Sequence, residues 1–259
     1  MTGNTSPRIV MPGCGGPTLL RVNWDDFDTA LFDLDGVLTP TADVHMRAWE
    51  QMFSEFLASR GVSEPYIEQD YYAYIDGKPR YDGVRSFLAS RDIVLPDGNP
   101  DDGPSVETVC GLGNRKNDVF SSVLESEGVQ PYPGSVALLD ALAARGTKIA
   151  VVSSSRNAPA VLQAAGLADR FEVVVDGSVA SGKGLAGKPS PETFVFAAEQ
   201  LNTPVERAVV VEDAISGVEA GRSGGFGLVV GVDRGVGADQ LKLAGADVVV
   251  NDLAELVQR

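Results

Sequence analysis

Residues 29–38 read TALFDLDGVL, an apolar run that ends in two aspartates and a glycine. On a β-strand, the i, i+2 spacing of Asp33 and Asp35 points both side chains the same way. Burying two anions side by side is costly unless a cation or a reaction requires them. An ordinary strand that runs into an Asp-Gly turn accounts for the same residues. The stretch alone therefore does not decide between an active site and an ordinary turn.

The residues after about 131 indicate the fold class, because short β-branched runs alternate there with helical stretches. The predicted strands cover residues 148–153, 173–175, 208–212, 227–232 and 247–250, and the predicted helices cover 134–144, 158–165, 191–201, 215–221 and 238–244. Continuous apolar strands separated by helices indicate a parallel sheet with both faces covered. The sequence thus predicts an α/β fold with a doubly wound parallel sheet, and residues 29–33 form its first strand.

A helical block separates the first strand from the others. Apolar residues recur there at helical spacing, and they predict helices over about 43–60, 64–75 and 79–91 and from residue 105 or later to 127, with an exposed acidic loop near 95–104. We therefore expect an α/β core of residues 25–40 and 131–259, with an all-helical cap inserted at residues 41–130. Residues 1–24 contain several glycines and prolines with little periodicity, and they predict a poorly ordered N-terminal arm.

The charge of the chain limits its partners. Its 259 residues carry a formal net charge of −15, whereas a nucleic-acid partner requires a basic face. The same charge repels phosphorylated substrates at long range, so any phosphate site must gather basic groups locally. There is no apolar run of roughly 18 residues, no signal-peptide pattern and no CxxC pair. We expect a cytoplasmic monomer without a nucleic-acid or membrane partner.

Polar residues cluster where the predicted strands end. In open α/β sheets, ligands bind beyond the carboxyl ends of the strands. The residues found there, or at the entry of a following helix, are Asp33, Asp35, Ser153, Ser155, Arg156, Asn157, Lys188, Glu212 and Asp213. Each has an ordinary alternative: a serine can cap a helix, a lysine or a carboxylate can be solvated. Their shared position instead favours a binding site with two parts. The acidic cluster would bind a hard cation, and the lysine and hydroxyl groups beside it would bind an anion.

That set of side chains suits phosphoryl transfer. Carboxylate oxygens select Mg²⁺, which also binds substrate phosphate. One carboxylate can attack phosphorus and form an aspartyl-phosphate, and the second can exchange a proton with the substrate oxygen. The lysine and the cation can neutralise the transferring phosphoryl group.

These motifs resemble those of the haloacid dehalogenase superfamily, in order and in strand context, over residues 28–252. Asp33-Leu34-Asp35-Gly36 matches the first motif, Ser153 the second, Lys188 the third and Glu212-Asp213 the fourth. Within the superfamily, residues 33–49 (DLDGVLTPTADVHMRAW) are similar to the signature of the β-phosphoglucomutase-like branch. Pro40 departs from that signature, because the branch carries an aspartate there.

The resemblance implies a role for each motif residue. Asp33 is the nucleophile and Asp35 the general acid/base. Mg²⁺ is held by the carboxylates of Asp33, Glu212 and Asp213 and by the backbone carbonyl of Asp35. Ser153 and Lys188 bind the transferring phosphoryl group.

Further roles are implied near and within the cap. Thr41 and His45 couple cap closure to Asp35, although a lone histidine on a helix is more commonly a packing or surface residue. Arg80 and Lys116 match substrate-binding positions of the cap, and Ser155, Arg156 and Asn157 match residues that hold a distal phosphate. Solvated helix ends are the alternative for Arg80, Lys116 and Arg156 taken singly.

Two phosphate sites are what a sugar-phosphate mutase needs, because its bisphosphate intermediate must present both ends. The resemblance implies conversion of β-glucose 1-phosphate to glucose 6-phosphate through the 1,6-bisphosphate. A phosphatase acting on a small sugar phosphate, and a non-catalytic phosphosugar-binding protein, are the alternatives.

Overall fold

The computed structural model describes residues 22–257. Its β-strands form one parallel sheet in the order β3-β2-β1-β4-β5-β6. The strands are β1 (Thr29–Phe32), β2 (Lys148–Val152), β3 (Val173–Val175), β4 (Ala208–Glu212), β5 (Leu228–Val232) and β6 (Val248–Val250). This order is that of a doubly wound sheet, whose direction of winding reverses at β1. The predicted α/β fold class is confirmed.

Strand β1 lies at the centre of the sheet and is buried along its whole length. Phe32, its last residue, pairs with Val151 of β2 on one side and with Val211 of β4 on the other. The carboxyl ends of these three strands are therefore level, and the side chains that follow them lie at one edge of the sheet.

Helices cover both faces of the sheet. They are α5 (Pro133–Arg145), α6 (Ala158–Ala164), α7 (Gly177–Lys183), α8 (Glu192–Gln200), α9 (Ile215–Ser223) and α10 (Ala238–Ala244). Helix α7 was not predicted, because its sequence GSVASGK has no apolar periodicity. Local hydrogen bonds start it instead: the carboxylate of Asp176 accepts from the backbone N–H groups of Ser178 and Val179.

The cap contains α1 (Thr41–Ser59), α2 (Glu68–Asp70), α3 (Arg80–Ser90) and α4 (Val109–Glu127), with a π-helical turn (Tyr71–Ile75) directly after α2. The helix predicted from residue 64 begins only at Glu68, because the Asp70 carboxylate accepts from the Ile67 backbone N–H and fixes the start there. Helix α4 begins at Val109, after the Thr108 cap, which agrees with the predicted start at residue 105 or later. An aromatic cluster that includes Phe53, Tyr66 and Phe87 fills the cap interior.

The predicted N-terminal arm lies outside the described residues as far as residue 21. Its last residues belong to the α/β unit. Trp24 is buried in the core, and its indole N–H donates to the carbonyl of Leu256. Burial of this large side chain moves the start of the core to before residue 24. Within residues 22–257, no helix is long and apolar enough to cross a membrane.

Candidate active site

The chain turns sharply after β1, and the turn brings two aspartates into one cavity. The backbone N–H of Asp33 donates to the carbonyl of Val211 at 2.9 Å, which extends the sheet ladder into the site. Gly36 has a φ of +84°, and a Cβ at that position would come within 1.8 Å of the Asp213 carboxylate. Glycine is therefore required here, both for the turn and for the close approach of Asp213.

Lys188 connects three strands at the base of the cavity. Its Nζ lies 2.5 Å from Asp33 Oδ1, 2.6 Å from Glu212 Oε1 and 2.9 Å from the carbonyl oxygen of Val152. The lysine is only 3% exposed, so its charge is almost fully desolvated. Burial opposes that charge, but Asp33 and Glu212 hold the pKa of Lys188 above its ordinary value. The lysine is cationic at any physiological pH.

Carboxyl groups outnumber the single ammonium group around this lysine. Burial raises the pKa of Asp33 to about 8, against the opposing charge of Lys188 and with the support of Glu212 and Asp35. Burial also raises the pKa of Asp213 well above its ordinary value, and the neighbouring carboxylates, Asp76 first among them, add to the shift. One ammonium group does not balance these carboxylates.

The donor set fits a hard divalent cation. It consists of oxygen atoms, and an added cation would relieve the repulsion between Asp33 and Asp213. Both carboxylate oxygens of Glu212 already have partners, Lys188 on Oε1 and the backbone N–H groups of Asp213 and Ala214 on Oε2. Among the described residues, no three acidic, histidine or cysteine side chains converge as a chelate. Backbone carbonyl, water and phosphate oxygens would complete the coordination, which is the habit of Mg²⁺.

Asp35 lies in a different environment from Asp33. The hydroxyl of Thr41, the first residue of α1, donates a short hydrogen bond to Asp35 Oδ1 and contacts the Thr39 hydroxyl at 2.7 Å. His45 Nε2 lies 3.5 Å from the same Asp35 oxygen but is not aligned for a hydrogen bond. The imidazole stacks on Phe120 at 4.0 Å between ring centroids. The first helix of the cap thus contacts Asp35 through two side chains.

Lys116 lines the cavity and contacts His45. Its Nζ contacts His45 Nδ1 closely and lies about 5 Å from the ring centroids of Trp49 and Phe120. Burial lowers the pKa of Lys116 well below its ordinary value, and the charge of Arg80 lowers it further. An ammonium group at Lys116 can only donate to the Nδ1 lone pair, and the imidazole proton is then on Nε2, facing Asp35; a neutral amine can donate or accept, so the contact by itself does not fix the tautomer.

The pKa values of Asp33 and Asp35 are shifted in opposite directions. Burial opposes ionisation of Asp35, but His45 first, and then Thr41 and Lys116, hold its pKa below the ordinary value. Asp33, two residues away, has a raised pKa. Titratable neighbours whose environments separate their pKa values are typical of acid/base sites.

The turn after β2 carries the predicted phosphate-binding serines. Ser153 is buried, and its hydroxyl accepts from the Ser155 backbone N–H at 3.0 Å. The Ser155 hydroxyl accepts in turn from the Asn157 backbone N–H at 3.1 Å. These bonds fix the turn, in which Ser153 lines the same cavity as Asp33 and Asn157 is hydrogen-bonded to Asn117 of the cap.

Arg80 reaches the cavity from the start of α3. Its two terminal nitrogens donate to the side-chain oxygens of Asn114 (3.2 Å) and Asn117 (2.6 Å), which lie one turn apart on α4. Asn157 of the core donates to the same Asn117 oxygen at 2.7 Å. The guanidinium of Arg156 lies 5.8 Å from the ring centroid of Tyr81, next to Arg80. Arginines from the cap and the core are therefore gathered in one place.

One cavity of about 690 Å³ is lined by the carboxyl groups, by Lys188 and by both arginines. We call Asp33, Asp35, Glu212, Asp213 and Lys188 its acidic end. Its cationic end consists of the lining residues Arg80, Arg156 and Asn157, together with Asn114 and Asn117, which do not line the cavity but accept hydrogen bonds from Arg80. Every predicted site residue lines this cavity except Thr41, which lies behind Asp35.

The sequence interpretation missed several residues that line this cavity or bind its arginines. Asp76, in the loop before α3, lines it, and burial together with Glu212 raises its pKa to about 7. Asn114, Asn117 and Tyr81 orient or contact the arginines. A usable signal was the pair of asparagines three residues apart on α4, which share a helix face.

The cap also contacts the core at the acidic end. The hydroxyl of Ser154 donates to the Gly77 carbonyl at 2.8 Å, and that of Ser216 donates to the Asp76 carbonyl at 3.2 Å. Together with the Asn157–Asn117 hydrogen bond, these contacts hold the cap over the cavity.

Comparisons with known proteins agree with this geometry. The chain is 51% identical over 237 residues to a β-phosphoglucomutase of Mycobacterium tuberculosis, covering 88% of this chain and 90% of that protein. It is 29% identical over 208 residues to a phosphorylated carbohydrates phosphatase of Thermotoga maritima, covering 79% and 85%. A crystal structure of β-phosphoglucomutase from Clostridium difficile aligns with a TM-score of 0.71 and 27% identity, covering 89% and 93% of the two chains.

The sequence model described as haloacid dehalogenase-like hydrolase matches residues 27–225. That range includes β1, the whole cap and every residue of both ends of the cavity. The chain belongs to the haloacid dehalogenase-like hydrolase family.

Proposed function

We propose that this enzyme is a Mg²⁺-dependent β-phosphoglucomutase, which converts β-glucose 1-phosphate to glucose 6-phosphate through the 1,6-bisphosphate. The observation that carries the proposal is the pair of separate anion-binding groups in one cavity. Lys188 and Ser153 lie beside Asp33 at one end, and two arginines lie at the other. A phosphatase needs only the first group, whereas a bisphosphate intermediate occupies both. The similarity to the mycobacterial β-phosphoglucomutase supports the same substrate.

Asp33 and Asp35 divide the chemistry between them. In the first step the sugar C6 hydroxyl attacks the phosphorus of phosphorylated Asp33, the bond from phosphorus to the Asp33 oxygen breaks, and Asp35 takes the hydroxyl proton. The bisphosphate then turns round, and Asp33 attacks the phosphorus at C1. The phosphorus–oxygen bond to the sugar breaks, and Asp35 returns the proton to that oxygen. A lowered pKa, which keeps Asp35 ionised, suits the first step.

Other side chains neutralise and hold the transferring group. Lys188 and the Ser153 hydroxyl bind its oxygens. Asp33, Asp213 and the Asp35 carbonyl, with Glu212 as the predicted fourth group, would hold Mg²⁺, which when bound stabilises the negative charge of the phosphoryl oxygens. Glu212 also positions Lys188, to which it is hydrogen-bonded.

Thr41 and His45 couple the cap to the proton transfer. Both lie on α1, the first cap helix, and both contact Asp35. Movement of α1 with the cap changes these contacts, so that Asp35 is correctly held only when the cap is closed over a sugar. Water reaching the open site then meets a poorly placed base, which favours transfer to the sugar over hydrolysis.

A second candidate is hydrolysis of a small sugar phosphate by the same Asp33 chemistry, with water as the acceptor. The similarity to the Thermotoga maritima phosphatase favours it. The cytoplasmic location, the monomeric state and the absence of nucleic-acid and membrane partners stay predictions.

The decisive experiment supplies β-glucose 1-phosphate, Mg²⁺ and a trace of glucose 1,6-bisphosphate, and measures glucose 6-phosphate and free phosphate in the same sample. We expect glucose 6-phosphate to exceed free phosphate by far. Phosphate release without the isomer would establish the phosphatase instead. The absence of any turnover with either product would favour the non-catalytic binding protein.

A further inference from the structure

We propose that Asn117 is a positioning residue that assembles the distal phosphate site across the boundary between cap and core. Its side-chain oxygen joins the arginine of the cap to Asn157 of the core, so the cationic end is complete only when the cap is closed. The inference rests on the proposed function in that it assigns a bisphosphate to this cavity. It concerns binding at the cationic end and not the chemistry at Asp33.

The hydrogen bonds of Asn117 are the first ground. Its Oδ1 accepts from Arg80 Nη2 at 2.6 Å and from Asn157 Nδ2 at 2.7 Å. A side-chain amide oxygen has two lone pairs, so both are used. Arg80 belongs to α3 and Asn117 to α4, whereas Asn157 follows β2 in the core. This one oxygen therefore links two cap helices to the α/β unit.

The second ground is the charge around the arginines. Among the described residues, neither Arg80 nor Arg156 forms an ion pair with a carboxylate, although the chain carries a net charge of −15. Burial lowers the pKa of Arg80, and the charge of Arg156 acts in the same direction. Two neighbouring guanidinium groups without a counter-ion form an anion site.

A neutral amide is the appropriate side chain for this position. A carboxylate would orient Arg80 equally well but would also neutralise it and repel a phosphate. The amide oxygen directs the guanidinium and leaves its charge available to the ligand. Asn114 acts on Arg80 in the same way from one turn away, at 3.2 Å, and it also bonds to the Tyr81 hydroxyl and the loop carbonyls of Pro100 and Asp102. Asn114 has no bond to the core, so it serves as the matched control.

Binding affinity tests the inference without relying on turnover. Glucose 1,6-bisphosphate is titrated calorimetrically into Mg²⁺-loaded protein that carries Asp33→Asn, which blocks phosphoryl transfer. We expect Asn117→Ala to weaken binding about tenfold, since one hydrogen bond that orients a charged donor is lost. Asn117→Asp, which keeps the size of the side chain, should weaken it on the order of a hundredfold. Asn114→Ala should have a smaller effect than Asn117→Ala.

A one-phosphate substrate separates positioning from general damage. With Asp33 intact, hydrolysis of acetyl phosphate should change less than about twofold in Asn117→Ala, because that substrate does not reach the cationic end. Equal losses in bisphosphate binding and acetyl phosphate hydrolysis would overturn the inference, and so would unchanged bisphosphate affinity in Asn117→Asp.

A double-mutant cycle tests the link to the core. If Asn117 acts through Asn157, the combined Asn117→Ala/Asn157→Ala variant loses less affinity than the sum of the single losses. Additive losses would overturn the proposed bridge. If the unmodified enzyme forms no glucose 6-phosphate while these affinity differences appear, the mutase proposal fails and the role of Asn117 stands.

Discussion

The two ends of the cavity are built in different ways. Asp33 and Lys188 at the acidic end are connected by hydrogen bonds to β2 and β4, whose carboxyl ends are level with that of β1. The cationic end is held by side-chain amides between two cap helices and one core turn. The first arrangement uses core residues alone, whereas the second requires contact between the cap and the core. The comparison indicates that the groups around Asp33 are fixed by the core and that the arrangement around Arg80 depends on the position of the cap.

The largest loss of activity is expected from a substitution at the acidic end. Asp33→Asn removes the nucleophile, and we expect both mutase and hydrolase turnover to fall by on the order of 10⁴-fold or more. Steady-state rates with β-glucose 1-phosphate and with acetyl phosphate measure the two activities. Full activity in this variant would mean that the aspartyl-phosphate mechanism is wrong.

Arg80→Ala tests the cationic end of the cavity. We expect mutase kcat/KM to fall about a hundredfold, because a charged hydrogen-bond donor to the distal phosphate is lost. Acetyl phosphate hydrolysis should fall less than about threefold. Rates for both substrates, measured on the same preparation, check the prediction. Equal losses in the two assays would show that Arg80 supports the fold and does not hold a phosphate.

Thr41→Val tests the contact between the cap and the acidic end, since Thr41 belongs to the cap and its hydroxyl donates to Asp35. The hydroxyl helps to keep the pKa of Asp35 low, so its removal raises that pKa. We expect kcat to fall about tenfold, in line with loss of one hydrogen bond to a charged group. The acid limb of the pH profile of kcat/KM should move to higher pH. An unchanged profile with a lower kcat would indicate a packing role for Thr41.

The smallest effect concerns the stability of the metal-free protein. Asp33 and Asp76 have pKa values raised to about 8 and about 7, above the ordinary value of 3.8. Between pH 4 and 8 these two carboxyl groups bind fewer protons in the unfolded chain than in the folded one, so their contribution lowers the free energy of unfolding as pH rises; the lowered pKa of His45 acts in the opposite direction and makes the decrease smaller. Urea unfolding in chelator at pH 5 and pH 8 measures the decrease. Added Mg²⁺ should reduce it, and a stability that instead rises over this range would contradict the assignment.

Most of the fold followed from periodicity in the chain. The strands at Val173–Val175 and Ala208–Glu212 and the helix Ala238–Ala244 lie within a residue of the predicted ranges. Helix α7 was missed because side-chain capping by Asp176, and not apolar spacing, starts it. The start of α2 was placed too early because propensity alone does not reveal the Asp70–Ile67 hydrogen bond.

For the candidate site, the acidic end was more predictable than the cationic end. Parallel strands end at one edge of a sheet, so Asp33, Ser153 and Glu212 could be brought together from their positions after apolar runs. Lys116, grouped with Arg80 as a substrate-binding residue, does line the cavity, and its contact with His45 was not predicted. Helix α4 presents Lys116 and Asn117 to different partners, and the sequence does not say which faces lie inward.

The sequence by itself determined the type of sheet, the insertion of the cap and the carboxylates beside the strand ends. Each of these depends on local periodicity and on strand order, which neighbouring residues along the chain encode. Only the tertiary structure decided that Glu212 holds Lys188, that Lys116 contacts the imidazole of His45, and that Asn117 joins the cap to the core. Those contacts join residues 24 to 71 positions apart: the first lies within the core, the second joins two helices of the cap, and only the third joins the cap to the core.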